Sequence, residues 1–248
     1  MNQTLSHPAA EPERTPHMLE INWAHERFEL LHSRALHWPD RRALILADPH
    51  FGKAEAFRKA GVPVPNGTTA ATLNRLTEAV RQTKPHRILI LGDFFHSRPG
   101  VSGTVLQHLA DWRRRHAPLE VINVRGNHDA HAGDPPPELD IECLDTFQIA
   151  GLRLVHHPDD TGTTPGQPVI AGHVHPVIKL DMRSDRMRTP CFHLAPTCMT
   201  LPAFGSFTGG KAVNPQPGDR VFAIGPDAVA EVPVAHATAY GRAATVRV

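Results

Sequence analysis

The chain has 248 residues, 40 % of them hydrophobic, with 26 Lys and Arg against 25 Asp and Glu. Such a chain can bury one large core, and its near-zero charge excludes a globally basic nucleic-acid module, leaving any such partner to a local patch. No run reaches the ~18 apolar residues of a membrane span, and three cysteines without C-x-x-C spacing read as reduced thiols of a soluble, cytoplasmic protein.

Residues 1–17 are rich in Pro and Glu, contain no apolar leader, and read as a disordered arm before one domain over 18–248. MLEIN and RFELL follow as short strands, a hairpin covering one sheet edge. Arg42–Ala47 is the next strand. Over Thr68–Lys84, the residues Ala71, Leu73, Leu76, Ala79 and Val80 recur at helical spacing, and Pro85 marks the stop. Arg87–Leu91 (RILIL) is an unbroken apolar run, as in a strand buried on both faces. Val105, Leu106, Leu109 and Trp112 mark a second helix, and Leu119–Val124 another strand. This alternation implies parallel pairing with helices on the faces. From Leu139 onward the pattern changes to strands and turns: IECLDTFQI, GLRLVHH, PVIAGHV, VIKLDM and RVFAI. "RRRH" (113–116) reads as the solvated end of a helix, "RSDRMR" (183–188) as a hairpin turn and "FGSF" (204–207) as core. The last ~25 residues read as one more strand and a tail. The fold class is α/β, a β-sheet sandwich flanked by helices.

The chemistry stands at the strand ends. LILA runs into Asp48-Pro49-His50, ILILG into Asp93, and VINVRG into Asn127-His128-Asp129. LRLV runs into His156-His157, and VIAG into His173-Val174-His175. In open α/β sheets ligands bind at the carboxyl ends of the strands, and Asp, His and Asn are metal-ligating types. In extended backbone, residues i and i+2 project to the same side, so Asp48 and His50 can reach one ion. Pro49 donates no hydrogen bond and suits a strand that stops pairing there. "GK" at Gly52-Lys53 lacks the spacing of a phosphate-binding P-loop. Neither Ser97 nor Ser102, nor any cysteine, has the neighbours of a covalent nucleophile.

The order D-x-H, G-D, G-N-H-D, H, G-H-x-H over residues 44–176 resembles the calcineurin-like metallophosphoesterase superfamily. "ADPHFGKAEAFRKAGVPVP", "GDFFHSR", "RGNHD", "HHP" and "AGHVHP" are similar, more narrowly, to bacterial DNA ligase-associated metallophosphoesterases, which are encoded beside an ATP-dependent ligase and a helicase. Pro49 stands where that family commonly has an aliphatic residue, and His156-His157 doubles a single-His block. The resemblance implies the calcineurin-like fold and two divalent ions, which lower the charge on a phosphoryl group and provide a hydroxide for in-line attack. Asp93 would bridge the ions. Asp48, His50 and His175 would complete one site, and Asn127, His156 and His173 the other. His156 is assigned by its place two residues before Pro158, with His157 as the alternate ligand or a residue behind it. Mixed imidazole and oxygen donors suit Mn²⁺, Fe²⁺ or Zn²⁺, and the resemblance favours Mn²⁺.

His128, left without an ion, would stabilise phosphoryl oxygens and protonate the leaving alkoxide. Asp129 would orient and charge it, or cap a helix. Lys53, Arg58 and Lys59, in the loop after the first ligand pair, are either solvated or contacts for a DNA backbone. His96 and Arg98 begin an exposed loop or line the cleft, Arg98 as a phosphate clamp. The expected activity is a Mn²⁺-dependent endonuclease acting on single-stranded or damaged DNA in repair, linked functionally to a ligase and a helicase. The alternatives are a small-substrate phosphoesterase, for a cyclic nucleotide or a pyrophosphate, and a non-catalytic metal-dependent scaffold. The short interval between Asp129 and His156 leaves little room for the helical cap of a lipid-pyrophosphate enzyme, and all ligand blocks are present, unlike in a scaffold.

Overall fold

The computed structural model describes residues 18–160, 164–182, 185–233 and 245–247; the arm expected over 1–17 lies outside them. β1 (Met18–Trp23) and β2 (Glu26–Leu31) form an antiparallel hairpin that continues through β3 (Leu36–Trp38) into β4 (Ala43–Ala47). The chain then passes α1 (Lys53–Lys59) and α2 (Thr68–Thr83) to reach β5 (Arg87–Leu91). α3 (Gly103–Arg115) leads to β6 (Glu120–Val124), and the short α4 (Asp129–Ala132) leads to β7 (Glu142–Leu144). β4 to β7 pair in parallel, and the first sheet has the order β1-β2-β3-β4-β5-β6-β7.

The second sheet holds β8 (Phe147–Ile149), β9 (Leu152–Val155), β10 (Val169–Ala171), β11 (Pro176–Met182), β12 (Asp185–Leu194) and β13 (Cys198–Thr200). It is completed by β14 (Lys211–Ala212), β15 (Arg220–Ile224), β16 (Val229–Val232) and β17 (Thr245–Arg247). Its order is β14-β11-β12-β13-β10-β9-β8, with β15 on β12, β16 on β15 and β17 on β11. The segment IECLDTFQI is divided between the sheets, β7 closing the first and β8 opening the second.

Alternation along the central strands explains the layers. Ala43, Ile45 and Ala47 of β4 join Leu89, Leu91, Ile122 and Val124 against the second sheet, where Leu154, Ile170, Phe192, Met199 and Phe222 meet them. Leu44, Leu46, Ile88, Ile90 and Val121 face the other way, onto Leu73 and Leu76 of α2 and Val105, Leu109 and Trp112 of α3. Burial on both faces is what makes RILIL an unbroken apolar run. The helices cover one face of the first sheet and the second sheet covers the other.

The helix signals are met locally. Lys84, left-handed at φ 46, returns its N–H to Val80 O at 2.8 Å and ends α2 just before Pro85. Ser102 caps α3 by accepting from Val105 N at 3.3 Å.

Several surface readings are corrected. Arg113 is buried, not solvated: it donates to His116 O (2.7 Å), Leu119 O (2.8 Å) and the Asp140 carboxylate (3.1 Å), pinning the end of α3, while Arg114 and Arg115 stay exposed. Phe204 is core, but Phe207 is only half-buried, edge-on to Phe57 at 5.8 Å. In RSDRMR the strands pair as far as Met182 with Asp185, so Arg186–Arg188 are strand rather than turn; residues 183–184 lie outside the described set. The closing residues contain two strands, β16 and β17, where one was expected.

Candidate metal centre

Register brings the functional strand ends together. Ala47 pairs opposite Leu91, and Leu91 opposite Val124, so the segments after β4, β5 and β6 leave one edge side by side. In the second sheet Ala171 pairs opposite Val155, aligning the exits of β9 and β10.

Backbone conformation then aims the side chains, and here the extended reading of Asp48-Pro49-His50 fails. Asp48 and His50 lie in the left-handed region at φ 54 and 46, as do Asp93 (φ 52), His173 (φ 67) and His175 (φ 50). Each such residue other than glycine costs of order 1–3 kcal/mol and persists only where its surroundings over-determine it. The surroundings are visible. The loops after β4 and β5 run alongside each other, with Asp48 N on Gly92 O (3.2 Å), His50 N on Asp93 O (3.0 Å) and Phe51 N on Phe94 O (2.8 Å). Two glycines make room: a Cβ on Gly92 would overlap the His156 ring, and one on Gly126 the Asp93 carboxylate.

Two donor clusters gather the expected ligand residues, and His50, His96 and His128 form a further group of imidazoles beside them. In the first, atoms of Asp48, His50, Asp93 and His175 all lie within 4.8 Å of one another. His50 Nε2 is 3.3 Å from His175 Nε2 and 3.6 Å from Asp93 Oδ2, and His175 Nε2 is 3.5 Å from Asp48 Oδ1. In the second, Asn127 Oδ1 stands 2.9 Å from both His156 Nε2 and His173 Nδ1, which are 3.0 Å apart. Asp93 Oδ1 is 3.5 Å from His156 Nε2. Asp93 therefore turns one oxygen to each cluster.

The donor chemistry fits a divalent cation in each. Asp48 Oδ1 is buried without a hydrogen-bond partner, which is costly unless a cation meets it. His156 Nδ1 lies 3.0 Å from Leu91 O, which leaves Nε2 as the nitrogen facing the amide oxygen of Asn127. A ring nitrogen beside an amide oxygen is a pair that a divalent cation could share, with the Leu91 carbonyl behind the ring to orient it.

Burial holds Asp93 above the usual carboxylate range, with neighbouring Asp48 adding to the shift. It depresses His50 strongly, helped by Lys53 and the surrounding imidazoles, and brings His96 down to about 4. Lys53 is itself lowered by burial, against the opposing pull of Asp93 and Asp48. Burial thus favours the neutral form of the His50 and His96 rings, beside two crowded carboxylates.

His128 sits beside the clusters, about one-third exposed. Its backbone N–H donates to Asp93 Oδ1 (2.9 Å), its Nδ1 lies 2.5 Å from His96 O, and its Nε2 lies 3.9 Å from Asp93 Oδ2. The ring stacks on His96 at 4.8 Å and meets His50 edge-on at 5.0 Å. Asp129 does not orient it. The buried Asp129 carboxylate accepts from Gly126 N (2.9 Å), Asn123 Nδ2 (3.3 Å) and Phe95 N (3.4 Å), bracing the loops after β5 and β6. Nor does it cap α4, whose cap position is His128.

His156 is turned inward and His157 outward, where it accepts from Asp159 N at 3.1 Å and lies 4.3 Å from the His173 ring. Lys53, Arg58 and Lys59 are on α1, not in a loop. Arg58 is tied to Glu55 (2.9 Å) and Pro65 O (3.0 Å), and Lys59 to Pro99 O (2.7 Å). Arg98 starts an exposed 3₁₀ turn. Two residues escaped the sequence reading. Asn123, fully buried, was signalled by its polarity inside VINV. Phe57, 5.9 Å from the His96 ring, carried no such signal.

The calcineurin-like phosphoesterase family model matches residues 41–169. Pseudomonas putida nuclease MPE is 39 % identical, with 86 % of this chain and 100 % of that one covered and a TM-score of 0.75. The Escherichia coli phosphoesterase YfcE is 14 % identical over 77 % of this chain and 97 % of its own, with a TM-score of 0.39. The Aquifex aeolicus protein AQ665 is 18 % identical over 54 % and 78 %, with a TM-score of 0.35. No curated protein matches. The chain belongs to the calcineurin-like phosphoesterase family.

Proposed function

We propose that this calcineurin-like phosphoesterase is a single-domain, two-metal phosphodiesterase that cleaves DNA, with Mn²⁺ as the preferred ion. The carrying observation is Asp93, whose two carboxylate oxygens face two separate donor clusters. Asp48, His50, Asp93 and His175 would hold one ion, and Asp93, Asn127, His156 and His173 the other. When bound, the ions supply charge neutralisation at the phosphoryl oxygens and activation of water near neutral pH.

The chain's own groups complete the chemistry. His128, oriented through Nδ1 by the His96 carbonyl, keeps Nε2 for the substrate and protonates the leaving alkoxide. Asp129 acts as a positioning residue through Gly126 and Phe95. Lys53 and Arg98 meet phosphate oxygens of the bound strand, and the neutral His96 ring lines the cleft. Arg58, engaged with its own loop, shapes that wall rather than touching substrate. The nuclease among the structural relatives supports a nucleic-acid substrate. No helix among the described residues is long and apolar enough to cross a membrane. The proposed setting is the cytoplasm, beside an ATP-dependent ligase and a helicase, with single-stranded or damaged DNA as substrate.

The test is incubation of purified protein with Mn²⁺ and a labelled single-stranded oligonucleotide, alongside cyclic nucleotides and bis-p-nitrophenyl phosphate. Internal cleavage of the oligonucleotide is expected. Hydrolysis of the small diesters without DNA cleavage would overturn the nuclease reading in favour of a small-substrate phosphoesterase.

A further inference from the structure

The segment after β13 is held from two directions. Phe204 N and Gly205 N donate to Ala47 O (2.8 Å) and Asp48 O (3.2 Å), so the segment lies against the first ligand loop. Its carbonyls are taken by two arginines: Arg34 reaches Ala203 O and Gly205 O, each at 3.4 Å, and Arg75 reaches Phe204 O at 2.6 Å. Beside these arginines opens a groove of about 540 Å³, lined also by Ser33, Arg188, His32 and Glu78.

The charges in this groove are unbalanced. Among the described residues no carboxylate lies within ion-pair distance of Arg34 or Arg75, and neither guanidinium has a further hydrogen-bond acceptor. Glu78, the one acidic group in the lining, is engaged by Arg81 through bonds of 2.9 and 2.5 Å. Arg188 donates to Gly210 O and is otherwise exposed, and His32 approaches Pro226 O at 3.1 Å. Burial and the neighbouring Arg75 hold Arg34 down at about 10. Ser33, 6 % exposed, has a buried Oγ with no partner. Two desolvated, mutually repelling guanidiniums with an idle hydroxyl lack one thing, an oxyanion. Phosphate offers the planar, bidentate match that a guanidinium favours.

We infer that this groove is a second phosphate site, taking a non-scissile backbone phosphate of the polynucleotide bound at the metal centre. Leu36 pairs opposite Ile45, which puts Arg34 on the same sheet edge as Asp48. The 203–205 segment touches both, bonding the ligand loop through its N–H groups and the two arginines through its carbonyls. The source of the phosphate rests on the nuclease reading; the anion site does not.

Two variants test it. Ser33→Asp fills the groove with a carboxylate, and Arg75→Gln removes a donor. The oligonucleotide KM is expected to rise about tenfold or more in each, the scale of a missing charged hydrogen bond. Its dependence on salt should weaken by a slope of about 0.7 for each backbone phosphate that is no longer neutralised. Hydrolysis of bis-p-nitrophenyl phosphate, too short to reach the groove, should be unchanged. Thermal stabilisation of the wild type by inorganic phosphate should diminish in Ser33→Asp. Wild-type behaviour of both variants on the oligonucleotide overturns the site. A parallel loss on both substrates does too, since it leaves the arginines only as a brace for 203–205. If the wild type cleaves no DNA, the nuclease reading falls by itself. The anion site then stands if phosphate stabilisation is reduced in Ser33→Asp and falls if it persists.

Discussion

The two donor clusters share Asp93 but are built differently. The first draws Asp48, His50 and Asp93 from adjacent strand exits of one sheet, all nearly inaccessible at 0, 4 and 2 % exposure, with only His175 coming from the other. The second straddles the seam: an exposed Asn127 comes from the first sheet, and His156 and the half-buried His173 come from the second. One is locked by hydrogen bonds between neighbouring loops, whereas the other depends on how two sheets dock. The first is therefore the more preorganised, and the second the more open to substrate and to ion exchange.

Removing the shared group should break both. Asp93→Ala is expected to abolish turnover and release at least one ion, read by elemental analysis after dialysis; retained Mn²⁺-dependent activity would end the shared-ligand assignment. His173→Ala touches the seam cluster alone. It should leave close to one ion per chain, against two expected in the wild type, with the first cluster intact; two ions in the variant would mean the clusters are wrongly divided. His128→Ala touches neither. Turnover is expected to fall by about 10²–10⁴-fold, the range for a general acid, with both ions kept; a lost ion would make His128 a ligand.

The smallest effect concerns the sheets themselves. Burial pushes the Cys191 thiol of the second sheet up to about 12, and the Cys143 thiol of the first up to about 11. Because thiolate is the reactive form and both values lie far above pH 8, alkylation there should be negligible until the protein unfolds. Modification of Cys191 in the native protein would show that the second sheet opens.

Much of this was legible from sequence. RILIL announced its strand because burial on both faces demands an unbroken apolar run. Pro85 announced the end of α2. The candidate ligand residues stood out because each lies within a few residues of the end of such a run. What failed were statements about side-chain partners. Arg113 in RRRH looked like any basic helix end, yet the Leu119 carbonyl just before β6 and the Asp140 carboxylate claim it. Asp129 looked like the partner of adjacent His128, yet three groups across two loops hold it.

By itself, then, the sequence determined the alternation of strands and helices through β6, the two-sided burial of RILIL and which side-chain types stand at the strand ends, because these follow from periodicity and chemical type. Only the tertiary structure decided which donors meet. It turned His156 in and His157 out, pointed the two oxygens of Asp93 at different clusters, and left Arg34 and Arg75 with no carboxylate among the described residues within ion-pair distance. It also replaced the extended Asp48-Pro49-His50 with left-handed turns. Such φ values are unfavourable for these residues locally, so only the neighbouring loop, some forty residues further along the chain, can impose them.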